Sequence, residues 1–275
     1  MGSFSVHQCI CGNSISFTKI FHYKAPPKGE IVFDFSSKLK YDREIVQCTI
    51  CDHFLSWHDM DMSSLYNSDY VSSTYGTEGI KKTFDKINTL PPEKSDNIGR
   101  VNNIVNFSKK HFASLISSPS ILDVGSGLCV FLYRMKQAGW QCTALDPDAR
   151  TVEHAKATVG VNAIQADFFQ LSKQIEKFNV ISFNKVLEHV KNPVFMLKHA
   201  NQYLADNGFI YIELPDGEMA ALEGEGREEF FIDHIHIFSA SSLALLVQKA
   251  GYKLMHFERL QEPSTKYTLR AFIKP

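Results

Sequence analysis

The sequence lacks the features that would place it in a membrane or on a nucleic acid. Across 275 residues no uninterrupted apolar run reaches the roughly 18 residues that span a bilayer. The 29 Lys and Arg residues are balanced by 30 Asp and Glu residues, and their longest runs are pairs such as Lys81-Lys82. A nucleic-acid binder would show a strongly basic face. Residues 1–8 also lack the basic and then apolar pattern of a signal peptide. We therefore expect a cytoplasmic protein with no membrane span and no nucleic-acid partner.

Cysteine is scarce, but four of the six cysteines form two closely spaced pairs. These four are Cys9, Cys11, Cys48 and Cys51. In a reducing compartment such pairs bind metal more often than they form disulfides, and four thiolates can close a tetrahedral zinc site. The spacing from Cys9 to Cys11 is one residue shorter than usual, and His7 is an alternative ligand. Four unbound thiols or a redox pair are the other interpretation. The pattern predicts a zinc-ribbon-like lobe over residues 1–60.

The next segment, residues 61–117, is interpreted as a connector and a helix that cover an active site. Residues 60–89 are polar and aromatic, with no strong helical or strand periodicity. They are either a plain connector or a loop whose tyrosines cover a pocket. Apolar residues at three- and four-residue steps then predict a helix from about Asn97 to Leu115.

The most informative segment is an apolar strand, Ile121–Val124, that turns through Gly125 and Gly127 into a helix. Glycines let the backbone turn tightly and approach a ligand without interference from a Cβ atom. A dinucleotide fingerprint would need a third glycine where Val130 stands, and no Gly-Lys-Ser/Thr of a P-loop occurs. A second strand ends at Asp146, where an acid suits the hydroxyls of a ribose. Further strands alternate with helices, which predicts a parallel, doubly wound sheet.

At these residues the chain resembles the class I S-adenosylmethionine-dependent methyltransferases. Five segments follow the order of that family: LDVGSG at 122–127, ALDPD at 144–148, QADFF at 165–169, FNVISFNKVLEHV at 178–190 and GFIYIELPDG at 208–217. The resemblance implies an α/β fold with a mostly parallel, seven-stranded Rossmann-like sheet over residues 118–275. The fold class expected for the whole chain is therefore this α/β domain with a small zinc-ribbon lobe.

The resemblance also implies a set of cofactor contacts. Asp123, Gly125 and Gly127 would line the methionine end of S-adenosylmethionine. Asp146 and the adjoining Pro147 would lie at the ribose, Asp167 and the backbone of Phe168 at the adenine, and Asn184 beside the sulfonium. Cys129 stands where the family usually has a third glycine. Its side chain either faces away from the cofactor or crowds it.

Methyl transfer to a hydroxyl needs a base, and the candidates follow the fourth and fifth strands. Glu188 and His189 follow the fourth strand. Asp233 and His234 resemble the acid–histidine pair of sugar methyltransferases that carry a cysteine-rich N-terminal lobe, where the histidine is the base. Imidazole titrates near neutrality, so either histidine can accept a proton. If residues 233–238 are extended, His236 shares a face with His234 and becomes a substrate contact.

Two tyrosines, Tyr70 and Tyr75, also resemble substrate-facing tyrosines of those sugar enzymes. The sequence therefore predicts a methyltransferase for a small molecule, with a hydroxyl of a sugar or glycan precursor, such as a nucleotide-linked sugar, as the acceptor. Its expected cofactors are S-adenosylmethionine and a structural zinc ion. The alternatives are methylation of a natural product or a protein side chain, and a non-catalytic adaptor built on a cofactor-binding scaffold.

Overall fold

The computed structural model describes residues 8–30, 40–60, 79–112, 118–172 and 174–275. The strands are β1 (Phe17–Tyr23), β2 (Arg43–Cys48), β3 (Phe54–Trp57), β4 (Ser120–Val124), β5 (Gln141–Asp146), β6 (Asn162–Gln165), β7 (Phe178–Asn184), β8 (Leu204–Pro215), β9 (His236–Ile237), β10 (Lys253–Gln261) and β11 (Tyr267–Lys274). The α-helices are α1 (Gly79–Asn88), α2 (Asp96–His111), α3 (Val130–Gln137), α4 (Ala149–His154), α5 (Pro193–Ala200), α6 (Gly217–Glu223) and α7 (Ala240–Lys249). Short 3₁₀ turns include Phe168–Gln170 and Glu228–Phe230.

Seven strands form the main sheet, in the order β10-β11-β8-β7-β4-β5-β6. Strands β6, β5, β4, β7 and β8 run parallel to one another, β11 pairs antiparallel with β8, and β10 pairs antiparallel with β11. The predicted α/β fold with a mostly parallel, seven-stranded sheet is confirmed. Because β4 and β7 are central, the loops after their carboxyl ends meet at the middle of one sheet edge.

Both faces of this sheet are covered by helices, because alternate residues of each central strand point to opposite sides. Ile121 of β4 packs in one buried cluster with side chains of α2 and α3. Leu122, the next residue, packs in the other with side chains of α5 and α7. The core thus fixes the strands and leaves their carboxyl ends to form a site.

A smaller antiparallel sheet has the order β1-β2-β3-β9. Its last strand comes from far along the chain, with Phe54 opposite Ile237 and Leu55 opposite His236. This small sheet is therefore not confined to residues 1–60. The N-terminal lobe is joined by backbone hydrogen bonds to the segment that follows the predicted base, His234.

Three local predictions differ from the structure. The predicted helix 97–115 is observed at Asp96–His111, within the described residues. Helix α1 lies where the sequence shows no periodic apolar pattern. Phe84 is its one buried side chain, and a single apolar residue gives no helical periodicity. Residues 233–238, which would place His234 and His236 on one face if they were extended, form a strand only at His236–Ile237. No helix among the described ranges is both long and apolar enough to cross a bilayer.

Candidate active site

The turn after β4 is a backbone bend that only small residues allow. Gly125 and Gly127 have φ angles of 70° and 47°. A Cβ atom on Gly125 would lie 2.9 Å from a methyl carbon of Val186, so a larger residue would force the Val186 side chain to shift. The amides of Gly125 and Ser126 donate to the carbonyl of Leu145 over 2.8 and 3.2 Å. The bend is thus tied to the end of β5.

Asp123 lies at the base of this bend, with a buried carboxylate. Its Oδ1 accepts hydrogen bonds from Ser182 Oγ and Asn184 Nδ2, each over 2.7 Å. Burial raises the pKa of Asp123 to about 7, although both hydrogen bonds oppose this shift. A ligand cation beside this carboxyl would therefore favour its ionised form.

Asn184 ends β7 and leaves one polar atom without a partner. Its amide oxygen is buried and accepts no hydrogen bond from any described residue. An unsatisfied buried acceptor is unfavourable, and a positively charged ligand group would compensate it. The predicted position of Asn184, beside a sulfonium, suits this oxygen.

Asp146 ends β5 and is also tied to the bend. Its two carboxylate oxygens accept the amides of Gly127 over 2.9 Å and of Asp148, which follows Pro147, over 3.0 Å. Burial raises the pKa of Asp146. Each oxygen keeps a second lone pair, so the carboxylate can still accept from the two hydroxyls of a ribose.

Asp167 and Phe168 have structural contacts of their own. The Asp167 carboxylate accepts the amide of Phe169 over 2.7 Å and caps the short turn Phe168–Gln170. The ring of Phe168 is buried against Phe183. What remains at this edge for a ligand is the exposed side of the turn and its backbone.

The thiol of Cys129 belongs to the interior. The residue has a left-handed backbone, with φ 55°, at the start of α3. Its side chain is buried in the cluster that also holds Phe131 and Met135. Of the two arrangements considered for Cys129, this burial agrees with a thiol that faces the core.

His189 and His234 are brought together, with ring centroids 4.9 Å apart. The ring nitrogen Nδ1 of His234 lies 2.8 Å from the carbonyl of Glu229, and Nδ1 of His189 lies 2.8 Å from the carbonyl of Asp233. A carbonyl only accepts, so both Nδ1 atoms carry the proton and both Nε2 atoms are the basic ones. Burial lowers the pKa of His234 to about 4, which keeps its imidazole neutral.

The Asp233 carboxylate faces His189 as well as its own neighbour. Its Oδ2 lies 3.8 Å from His189 Nδ1. Burial opposes ionisation, but the electrostatic interactions with the His234 and His189 imidazoles outweigh it and lower the pKa of Asp233. The predicted acid–histidine pair is thus a group of three side chains.

Two further residues of the loop after β7 lie at this site. Glu188 is one of the candidates that follow the fourth strand, whereas Lys185 was not predicted as a site residue. Glu188 is fully buried, and neither of its carboxylate oxygens has a partner among the described residues. Burial raises its pKa to about 7. Lys185 has a left-handed backbone, with φ 57°, and burial lowers the pKa of its ammonium group. The signal available in the sequence for Lys185 was its position directly after Asn184.

The loop that carries Glu188 is bonded to the segment that carries His234. The Glu188 carbonyl accepts the amides of Ile235 and His236 over 2.8 and 3.1 Å. The predicted donor contact at Asn184 and the predicted base at His234 are therefore connected by one five-residue loop and two hydrogen bonds.

His236 itself lies elsewhere. It is buried on β9, and its Nδ1 is 2.9 Å from Nε2 of His53, whose Nδ1 is 3.1 Å from Ser242 Oγ. These contacts favour a role in joining the lobes over the predicted role in substrate binding. The predicted substrate contacts Tyr70 and Tyr75, and the alternative ligand His7, lie outside the described residues.

The four paired cysteines converge as the sequence predicts. The Sγ atoms of Cys9 and Cys51 are 3.4 Å apart, and those of Cys11 and Cys48 are 3.6 Å apart. Four thiolates at about 2.3 Å from one zinc ion lie about 3.8 Å from each other. The side-chain amide of Asn13 donates to Cys48 Sγ over 3.2 Å. Hydrogen bonds of this kind to the ligand atoms are common around protein metal sites. The cluster has the donor set and spacing to hold a zinc ion.

The sequence of this chain also matches a known protein family. A family model described as a methyltransferase domain matches residues 81–256, more than half of the chain. The chain belongs to the methyltransferase family. Its match covers the glycine bend, Asp146, Asn184 and the histidine pair, all within one domain.

Curated relatives of this methyltransferase are named ubiquinone biosynthesis O-methyltransferases. The one from Actinobacillus pleuropneumoniae serotype 5b is 27% identical over 164 residues, which are 56% of this chain and 64% of the relative. The one from Pelagibacter ubique is 27% identical over 96 residues, 34% of this chain and 40% of the relative. The aligned part thus spans less than two thirds of each relative.

Solved structures share the fold of this methyltransferase at low sequence identity. The magnesium protoporphyrin IX methyltransferase from Synechocystis PCC 6803, solved with bound SAH, has a TM-score of 0.58 and 13% identity, over 78% of this chain and 99% of its own. A plantazolicin methyltransferase, solved in complex with a triazolic desmethylPZN analogue and SAH, has a TM-score of 0.54 and 17% identity, over 74% of this chain and 93% of its own. At this identity the likeness concerns the fold alone.

Proposed function

We propose that this protein is an S-adenosylmethionine-dependent O-methyltransferase that acts on a hydroxyl of a small molecule. The observation that carries the proposal is the connection of Asn184 to His234 through the Glu188 carbonyl. This connection places two groups near each other: the amide oxygen of Asn184, which can accept from a positively charged sulfur, and the neutral imidazole of His234. The names of the curated O-methyltransferase relatives support oxygen as the atom that is methylated.

The cofactor would be held by three groups of the bend. Asp146 would accept from the ribose hydroxyls, and the ionised Asp123 would face the ammonium of the methionine end. The amide oxygen of Asn184 would lie beside the sulfur. When bound, S-adenosylmethionine supplies a methyl group that its positive sulfur already activates.

The chain then has to orient the acceptor hydroxyl and remove its proton. The Nε2 atom of His234 would take that proton while the oxygen bonds to the methyl carbon. The pair of electrons of the broken carbon–sulfur bond stays on sulfur, and the charge on sulfur disappears. A positioned base of this kind contributes typically 10²–10⁴-fold to the rate. Asp233 would stabilise the imidazolium that forms.

We further propose that the acceptor is a sugar or glycan precursor, with a nucleotide-linked sugar as the first candidate. Support comes from Lys185, whose side chain makes no ion pair or hydrogen bond with a described residue, and whose charge acts on His234. An acceptor that carries phosphate would offer this partly buried ammonium a counter-charge. A structural zinc ion on the four cysteines completes the proposal. The cytoplasmic location and the absence of a nucleic-acid partner stay predictions.

Mass spectrometry can test the function with the full chain and S-adenosylmethionine. Nucleotide-linked sugars, neutral sugars, glycan fragments and phenols would be screened for the gain of one methyl group. We expect methylation of a phosphate-bearing sugar, and a loss of at least a hundredfold in turnover for His234→Asn. Methylation of phenols alone would contradict the sugar acceptor. Full turnover by His234→Asn would contradict the assignment of the base.

A further inference from the structure

The N-terminal lobe contains a completely buried ion pair. Nη2 of Arg43 on β2 lies 3.1 Å from Oε2 of Glu30, and neither side chain is more than 1% exposed. The hydroxyl of Tyr41 donates to Glu30 Oε1 over 2.6 Å and accepts from Arg43 Nε over 3.0 Å. Removing two charges from water is unfavourable unless their remaining donors and acceptors are used.

The remaining bonds of this pair go to the backbone just before His234. Arg43 Nη1 donates to the carbonyl of Phe230 over 2.5 Å, and the amide of Ile232 donates to Glu30 Oε2 over 2.7 Å. Two bonds to charged groups, spaced two residues apart, hold this segment from one side. We call residues 229–234 the base segment.

The orientation of the imidazole depends on the same backbone. His234 Nδ1 bonds to the carbonyl of Glu229, and its amide donates to the carbonyl of Phe231 over 3.0 Å. The groups that set the tautomer and direction of His234 are therefore carried by the segment that the ion pair holds.

Further contacts hold the base segment at both ends. The ring of Phe230 packs edge-on against Phe21 and Phe54 of the lobe, with centroids 5.1 and 5.8 Å apart. Beyond His234, the amide of Ser56 donates to the carbonyl of Ile235 over 3.2 Å. The charge of Arg43 also contributes to the lowered pKa of Asp233. The N-terminal lobe thus contacts the backbone on both sides of the acid–histidine pair, and one of its charges lowers the pKa of Asp233.

We propose that Glu30 and Arg43 are positioning residues, which hold the base segment so that the imidazole of His234 points at the acceptor. This rests on the proposed role of His234 as the base. It assigns a function in catalysis to the N-terminal lobe. The lobe would build the acceptor half of the site, while the sheet edge builds the donor half.

The test uses two conservative variants and one matched control in the full chain. Glu30→Gln keeps the shape and an oxygen but removes the charge, and Arg43→Lys keeps the charge but removes the planar fork that reaches Phe230. Glu44→Gln removes the surface ion pair with Lys19, next to Arg43 on the same strand, and has no bond to the base segment. NMR titration of His234, with its resonance assigned by the His234→Asn variant, and hydrogen exchange of the Ile232 amide report on the segment directly.

We expect both variants to shift the midpoint of His234 upward from about 4 towards its ordinary value near 6.5, because a looser segment admits water. The titratable groups that face His234 are Asp233, His189, Lys185 and the buried carboxylate of Glu188, and none of them is changed. Exchange at Ile232 should become at least tenfold faster. The affinity for S-adenosylhomocysteine, measured by calorimetry, should stay within twofold, and Glu44→Gln should match the parent in every measurement.

Turnover of the acceptor found by the screen should fall about a hundredfold in Arg43→Lys, a loss that a displaced catalytic group can cause, with the KM for S-adenosylmethionine unchanged. Unaltered titration and exchange in both variants would overturn the proposal. An equal loss of cofactor affinity would also overturn it, since it would show general destabilisation. If His234→Asn retains full turnover, the base assignment fails, whereas the titration and exchange results still decide whether Glu30 and Arg43 hold the segment.

Discussion

Asn184 donates to Asp123 Oδ1 over 2.7 Å while its own amide oxygen, buried at the end of β7, has no partner among the described residues. One amide thus orients the carboxyl of the bend and offers an acceptor to a ligand. The two residues lie 61 positions apart and meet because β4 and β7 are adjacent in the sheet.

Replacing Asn184 with Ala should weaken S-adenosylmethionine binding by about tenfold, since a hydrogen bond contributes about 1 kcal/mol and one to a charged group more. Calorimetry measures this directly. Asn162→Ala, on the exposed edge strand β6, is the control and should bind like the parent. Equal binding by Asn184→Ala would show that its amide oxygen does not face the cofactor.

The raised pKa of Asp123 predicts a pH dependence of cofactor affinity. Its carboxyl is protonated below about pH 7 in the free protein, and the ammonium of the cofactor favours the ionised form. Affinity should therefore fall as the pH is lowered from 8 to 6, approaching tenfold per unit below the midpoint. In Asp123→Asn the affinity should be lower and nearly independent of pH. A parent profile that is flat over this range would contradict the assignment of Asp123.

Cys129 should have no effect on cofactor affinity. Burial raises the pKa of its thiol to about 12, and the side chain packs in the core. Cys129→Gly should lower the melting temperature, because it leaves a cavity, but change the dissociation constant less than twofold. Cofactor binding at least tenfold tighter in this variant would show that the thiol crowds the cofactor.

The cysteine cluster should contain about one zinc ion per chain, which elemental analysis of the purified protein can measure. Because β9 pairs with β3, removing the metal by a chelator should lower the melting temperature and speed exchange in the base segment. Cys48→Ser should do the same, whereas Cys142→Ser, outside the cluster, should keep the zinc. A content well below one ion in the parent would remove the zinc proposal.

The donor half of the site could be predicted because its residues come at the ends of strands. Asp123, Asp146 and Asn184 each close an apolar run, and parallel strands bring such ends to one edge. Gly125 and Gly127 added a bend that few other residues allow. Local sequence thus contained both the fold and the position of these side chains.

The acceptor half could not be predicted in the same way. Strand β9 has two residues, too few to show any periodicity, and its partner β3 lies more than 180 positions earlier. The pair of Glu30 and Arg43 reaches the base segment across a similar separation. The orientation of His234 depends on backbone carbonyl groups of its own turn, and the position of a backbone carbonyl cannot be predicted from residue type.

Calorimetric titration of the full chain with S-adenosylhomocysteine, for the parent and Asp146→Asn, tests the central claim most directly. The account predicts one site per chain in the parent and a dissociation constant raised about ten- to a hundredfold in the variant, since hydrogen bonds to a charged group contribute roughly 1.5–3 kcal/mol. No binding by the parent, or equal binding by both proteins, would contradict it.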